Sequence, residues 1–313
     1  MAPRFLTLIT TVLRSVSQIF LLRNAPAGAL ILLALAVVDV RFAGMVLLGA
    51  AVESLTVYYL ATDPRQEIRD GLRGYNGALI GAAWAIFTGY TALSVTLTVL
   101  CALATIVVYG ILRRMFASTR LADALLPVAT GPFCIVIGGT WTALDSVVAT
   151  PPAHAGPTVE LGLLTDFVST FADVVLASGA LSGLIIIIAL FVADWRAGAY
   201  GLYGAALAMA VGSAMGLSWS PLSGSLHGYS AVLVAIALGA TFWNNRSLLT
   251  RFLGVSLAVV LTLAVEPLLI LLPGPTLTWP FLISLWAVML LGRGVDKRRE
   301  LHVPAKIVAY EPA

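Results

Sequence analysis

Apolar residues run in long blocks separated by short polar joints. The blocks fall at roughly 5–22, 27–39, 42–62, 74–89, 91–112 and 122–147, then at roughly 163–177, 180–194, 197–218, 225–243, 248–272 and 277–292. A helix needs about 20 apolar residues to cross a bilayer, so the longer blocks predict transmembrane helices. Several blocks are too short to cross untilted, and the short ones come in corresponding pairs: 27–39 with 180–194, 74–89 with 225–243, and 277–292 with the part of 122–147 after Thr130. Short apolar segments at matching places in two halves point to a binding site within the membrane, because irregular backbone at that depth is tolerated only where it lines a cavity or is buried in protein.

The polar residues repeat as well. Gln18 through Gly28, followed by Asp39 and Arg41, is echoed by Asp173 through Gly183, followed by Asp194 and Arg196. Gly74-Tyr75-Asn76-Gly77-Ala78-Leu79 is echoed by Gly228-Tyr229-Ser230-Ala231-Val232-Leu233, and Thr130-Gly131-Pro132-Phe133 by Thr278-Trp279-Pro280-Phe281. Four matches in one order imply two structural halves with a site between them, an arrangement typical of membrane transport proteins. The expected division is 1–150 for the first repeat, 151–162 for an external linker, 163–292 for the second repeat and 293–313 for a cytoplasmic tail.

Composition agrees with a lipid environment. Of 313 residues, 60% are hydrophobic and 11% are charged, against about 25% charged in soluble domains. A net charge of +3, with basic residues confined to short loops, excludes a nucleic-acid partner. Cys101 and Cys134 lie inside apolar runs and read as buried hydrophobes, not a disulfide. No cleavable signal peptide stands out in residues 5–22, which Arg14 and Gln18 interrupt. Residues 121–195 contain no Lys or Arg, so the linker reads as external, whereas Arg113, Arg114 and Arg120 and the tail from Arg293 read as cytoplasmic. The loop 63–73 is nearly balanced in charge and gives no orientation. A linker outside and a C-terminus inside require an odd number of crossings in the second half, which five full crossings and one re-entrant half-helix per half supply. Both termini are then cytoplasmic.

The repeated blocks resemble those of the urea transporter family, the urea channels of bacteria and animals. The likeness covers most of residues 5–292 and rests on three blocks, each present twice: an eleven-residue block from Gln or Glu to Gly, a Gly-aromatic-Asn-x-x-Leu block and a Thr-x-Pro-Phe block. It implies an all-α polytopic membrane protein of two inverted repeats, each of five transmembrane helices plus one re-entrant half-helix (about 5–22 and 163–177), about ten spans in all. It further implies a homotrimer in the bacterial inner membrane, with a pore and selectivity filter in each protomer passing urea down its gradient without a cofactor. Three departures bear on the solute more than on the fold: Asp173 stands where the family has Gln or Glu, Ser230 where the first half has Asn76, and the family's Asn-Pro-x-Ser/Thr-Gly turn is altered in both halves.

The site chemistry follows from the solute. Urea is flat and neutral, with four N–H donors and one carbonyl acceptor. A pore that passes it quickly must replace its water hydrogen bonds without trapping it, so acceptors must recur along the path. Carbonyls at the end of a broken helix provide such a ladder. Gln18, Asp173, Thr130 and Thr278 are the expected urea-binding residues; Leu21, Tyr75, Leu79, Val174, Tyr229 and Leu233 are expected to form flat walls, Tyr and Leu four residues apart sharing a helical face. Plainer roles stand beside these: helix-end caps for Gln18 and Asp173, repair of Pro-freed carbonyls for the threonines, and packing for the aromatics. Asp39 with Arg41 and Asp194 with Arg196 read as local pairs closing helix ends. Glu53 and Glu266 are intramembrane carboxylates without a repeat partner, and His227 is a loop residue beside a possible pore mouth.

Two other readings compete with a passive channel for urea or a short amide. A proton- or sodium-coupled secondary transporter of a short amide or other small polar solute would use Asp173, Glu53 or Glu266 as its carrier. An enzyme is disfavoured: the chain has three histidines, none in an apolar span, and lacks His-Glu-x-x-His and Gly-x-Ser-x-Gly. No metal site is expected.

Overall fold

The computed structural model describes residues 2–60, 65–118, 125–144, 162–216 and 228–302. The expected linker up to residue 161, His227 and Arg120, and the tail beyond residue 302 lie outside the described residues. The described residues form α-helices and connecting turns, with no strand.

The first half begins with α1 (Ala2–Ser17), prolonged by a 3₁₀ turn at Gln18–Phe20, then α2 (Ala25–Val38) and α3 (Val40–Leu60). It continues with α4 (Arg65–Arg69), α5 (Tyr75–Thr88), α6 (Ala92–Ser118) and α7 (Gly131–Leu144). The second half comprises α8 (Leu163–Asp173), α9 (Ala180–Ala193), α10 (Trp195–Ala214), α11 (Tyr229–Ile236), α12 (Leu248–Ile270) and α13 (Trp279–His302); a π-helical stretch, Ala237–Phe242, prolongs α11.

Three helices, α3, α6 and α12, are long and apolar enough to cross a bilayer alone; α1 with α2, bent by 74° at their junction, makes a fourth if taken as one broken span. The remaining apolar stretches are shorter, α13 being apolar only over Trp279–Gly294. A 14-residue helix such as α7 or α9 rises about 21 Å against a hydrocarbon core about 30 Å thick. The hydropathy blocks predict a mixture of full-length and short apolar segments, and the helices are of these two kinds, although fewer of them are long enough to cross alone than the expected count of about ten.

The break after α1 follows from its hydrogen bonds. Leu22 N–H donates to Ser17 O and Leu21 N–H to Gln18 O, the Schellman pattern that closes a helix around a left-handed residue. That residue is Leu21, at φ 61°. The same turn closes α8: Ala177 N–H donates to Ala172 O, Leu176 N–H donates to Asp173 O, and Leu176 has φ 58°. Leucine in this region costs about 1–2 kcal/mol where glycine would cost nothing. After the first break Ser17 Oγ donates to Leu22 O and accepts from Asn24 N, and Asn24 Oδ1 caps α2 by accepting from Ala27 N at 2.8 Å. Ala172 and Gly179 occupy those places after α8, so the second turn lacks both braces.

Close backbone contacts then seat α1 on α2 and α8 on α9. A Cβ on Gly28 would lie 1.8 Å from Leu13 O, and one on Gly183 would lie 2.0 Å from Val168 O. Elsewhere Gly49 and Gly77 meet between α3 and α5, and Gly204 meets Ala231 between α10 and α11, small residues at membrane helix contacts in each case. The halves join through matching elements, α2 against α9 and α7 against α13. On the outside, Leu100, Val107 and Ile111 of α6 and Leu249, Leu253 and Leu257 of α12 are exposed, an apolar surface suited to lipid.

Candidate permeation site

Thr130 and Thr278 meet at the start of α7 and α13. Their hydroxyl oxygens are 2.6 Å apart, and Cys134 Sγ lies 3.1 Å from Thr278 Oγ1. Both threonines are buried. A hydroxyl has one hydrogen and two lone pairs. One shared proton between the threonines, with Cys134 S–H donating to Thr278, leaves the pair with acceptor capacity and one free hydrogen. A solute rich in N–H donors and carrying one carbonyl matches that remainder.

Each threonine follows a strained residue braced by a tyrosine. Ala129 has φ 45° and Leu277 φ 46°. Tyr75 Oη donates to Ala129 O at 2.6 Å, and Tyr229 Oη donates to Leu277 O. The halves differ beside these bonds. Asn76 Nδ2 also reaches Ala129 O, at 3.5 Å, while its Oδ1 accepts from Phe133 N at 3.2 Å. Ser230, at the Asn76 position, leaves its hydroxyl without a hydrogen-bond partner among the described residues. The sequence pattern suggested walls for Tyr75 and Tyr229; their hydroxyls also hold the backbone that presents the threonines, a role spacing does not reveal. Leu79 and Leu233 are buried one turn along from the tyrosines.

Gln18 is buried at the end of α1, where Nε2 donates to Asp70 O at 2.9 Å. That carbonyl can only accept, so the amide nitrogen is committed to it and Oε1 is left as the acceptor. Asp70 is itself held by Arg23 at 2.9 Å and by Gln66 at 2.9 Å. Asp173 closes α8 in the same turn, half-buried, and its carboxyl has no hydrogen-bond partner among the described residues. No hydrogen bond joins Gln18 to Asp173; each belongs to its own half, the 3₁₀ turn packing on α5 and α8 on α11. Schellman closure satisfies the carbonyls of residues 17–18 and 172–173, leaving those of Ile19 and Phe20, and of Val174 and Val175, without a helical partner. Leu21 is half-buried beside this turn, and its conformational twin is Leu176; Val174 is buried within the turn.

Glu53 has a structural partner that its isolation in sequence concealed. Oε2 accepts from Gly77 N at 2.6 Å, so the carboxyl caps the helix that carries Tyr75. Glu266 is also buried, in α12. The expected Asp–Arg pairs split. Arg41 makes two bonds to Asp39, at 2.9 and 3.2 Å, and stacks on Tyr90. Both aspartates cap the following helix, Asp39 through Arg41 N at 2.8 Å and Asp194 through Arg196 N at 2.9 Å, but the Arg196 guanidinium turns over Trp195, 5.8 Å from the ring centre. Trp195, which stands where the first motif has Val40, offers its ring to the second guanidinium. No cluster of His, Cys, Asp or Glu able to hold a metal occurs among the described residues.

Comparison with known proteins places this arrangement. The family description that matches the chain is "Urea transporter", over residues 9–293. Urea transporter 1 of the sheep, Ovis aries, is 26% identical over 312 residues, covering 92% of this chain and 78% of the relative. Urea transporter 1 of the goat, Capra hircus, is 26% identical over 322 residues with the same coverage. Urea transporter 1 of the mouse, Mus musculus, is 36% identical over a shorter stretch of 86 residues, 28% of this chain and 22% of the relative. Together with its apolar helices, the match makes this an integral, multi-pass membrane transport protein and not an enzyme. The chain belongs to the urea transporter family.

Proposed function

We propose that the chain is a channel, conducting urea passively through a pore between its two halves, with Thr130 and Thr278 at the narrowest point. The observation that carries this reading is the direct contact of two buried hydroxyls, one from each half, each immediately before a helix, α7 or α13. Urea N–H groups pass from Gln18 Oε1 or the Asp173 carboxyl, along the unpaired carbonyls of the broken helices, to the threonine oxygens. Leu21, Leu79, Leu233, Val174, Tyr75 and Tyr229 supply apolar walls that hold the molecule flat and reject hydrated ions. Successive acceptors matter because an unmet polar group in an apolar passage costs about 1–3 kcal/mol on protein scales.

The remaining architecture belongs to the same proposal. The two halves are inverted repeats of five crossings and one half-helix, both termini are cytoplasmic, and the protein sits as a homotrimer in the bacterial inner membrane. The matched turns at Leu21 and Leu176 and the packing of α2 on α9 support the repeat.

Proteoliposome swelling with urea and short amides tests the reading, with and without proton and sodium gradients. A channel gives flux set by the urea gradient alone, and Asp173→Asn retains appreciable flux. Uptake that requires an ion gradient and is uncoupled by Asp173→Asn would identify a secondary transporter instead.

A further inference from the structure

The groove between the first turns of α10 and α12 is unrelated to the threonine pair. It encloses about 560 Å³ and is lined by Trp195, Arg196, Tyr200, Leu249, Arg251 and Phe252 among others. Two features set it apart from an ordinary lipid-facing crevice. It contains two guanidiniums and no carboxylate. Arg196 has its side chain on Trp195, its neighbour Asp194 being engaged with the Arg196 backbone. Arg251 gives one N–H to Gly239 O at 3.3 Å and lies 5.9 Å from the Tyr200 ring. Secondly, two buried polar atoms in the lining, Arg251 Nε and Tyr200 Oη, have no hydrogen-bond partner among the described residues. An arginine N–H can only donate, and the phenol has a proton to give. The site is short of acceptors and of negative charge.

Its rim is apolar and faces outward: Trp195 is 66% exposed, Leu249 66% and Leu248 70%. Tryptophan beside arginine at a helix end is the pattern of the membrane–water interface. The same end of the bundle carries Arg246, stacked on Trp243, and Arg293. We infer that this groove is a binding site for an acidic glycerophospholipid, whose phosphodiester accepts from Arg196 and Arg251 while an acyl chain lies along Leu249 and Phe252. A zwitterionic lipid brings its own cation to two guanidiniums, so the site discriminates by headgroup charge. The matching position in the first half supplies a control, because Arg41 is already neutralised by Asp39.

Native mass spectrometry of the purified protein, extracted from vesicles containing equal amounts of phosphatidylglycerol and phosphatidylcholine, tests the site. The wild-type protein retains phosphatidylglycerol preferentially. Arg196→Ala, at an exposed position that leaves folding intact, lowers the preference about fivefold, and Arg196→Ala with Arg251→Gln lowers it by more than about tenfold. Arg41→Ala leaves it unchanged. Glycerol 3-phosphate, the headgroup chemistry without chains, does not displace the lipid. Equal retention of both lipids, an unchanged preference in the double variant, displacement by glycerol 3-phosphate, or Leu249→Cys cross-links between copies that exclude lipid would each overturn the proposal.

Discussion

Removing the Tyr75 hydroxyl isolates how the threonine pair is held. In Tyr75→Phe the ring and its packing remain, and the lost bond is the 2.6 Å contact to Ala129 O. That carbonyl is buried, with Ala129 only 5% exposed, and its other donor, Asn76 Nδ2, is at the 3.5 Å limit. A buried acceptor left nearly unpaired costs about 1–3 kcal/mol. The weak Asn76 contact places Tyr75→Phe at the low end, about 1–2 kcal/mol. Tyr229→Phe strips the equivalent brace from Leu277 O, where Ser230 offers no second donor among the described residues, so it falls at about 2–3 kcal/mol. Both Ala129 and Leu277 sit in a left-handed conformation disfavoured by about 1–2 kcal/mol, and without the brace each has reason to relax and carry its threonine away. Detergent-denaturation curves in mixed micelles measure the stability loss, and stopped-flow urea flux measures the displacement. The expected order is Tyr229→Phe worse than Tyr75→Phe in both assays. Losses under about 0.5 kcal/mol with unchanged flux in both variants would reduce the tyrosines to packing residues and refute the bracing argument.

Other perturbations read the scaffold. Gly28→Ala and Gly183→Ala drive a methyl into the carbonyls of Leu13 and Val168, so folded protein recovered by size-exclusion chromatography should fall sharply, whereas Gly44→Ala, which meets nothing within 4 Å, should be recovered normally. Glu53→Leu leaves Gly77 N–H without its 2.6 Å acceptor and should lower stability by about 1–3 kcal/mol in the same denaturation assay. Asn24→Ala removes the α2 cap and should cost about 1 kcal/mol; no effect would mean that Ser17 alone holds the turn.

The duplicated chemistry was legible because it repeats by residue type. Gln18 with Asp173, Tyr75 with Tyr229 and Thr130 with Thr278 stand in one order in both halves, and each pair occupies matching places in the structure. The breaks after α1 and α8 were legible as interruptions between apolar segments, but not the residue that makes each. A left-handed leucine gives no compositional sign, so the sequence offers Leu21 and Val174 as wall residues without marking Leu176 as the conformational twin of Leu21. Cys134 reads correctly as buried; its contact with Thr278 depends on how α7 meets α13, which no local pattern encodes. The partner of Glu53 was hidden for the same reason, being a backbone N–H on another helix. Span length was the weakest inference. Lipid and a protein interior both demand apolar residues, so hydropathy marks α5 and α11 as apolar without saying that protein covers them on every side.

The central claim is that urea passes between the two threonine hydroxyls. Stopped-flow urea flux through proteoliposomes carrying Thr130→Val with Thr278→Val tests it most directly, since valine keeps the shape and removes both acceptors and both hydrogens. Losing those partners at the narrowest point should slow flux by at least about tenfold, in protein whose denaturation midpoint confirms that it is folded. Urea flux equal to that of the wild-type protein would remove the threonine pair from the pathway and contradict the account.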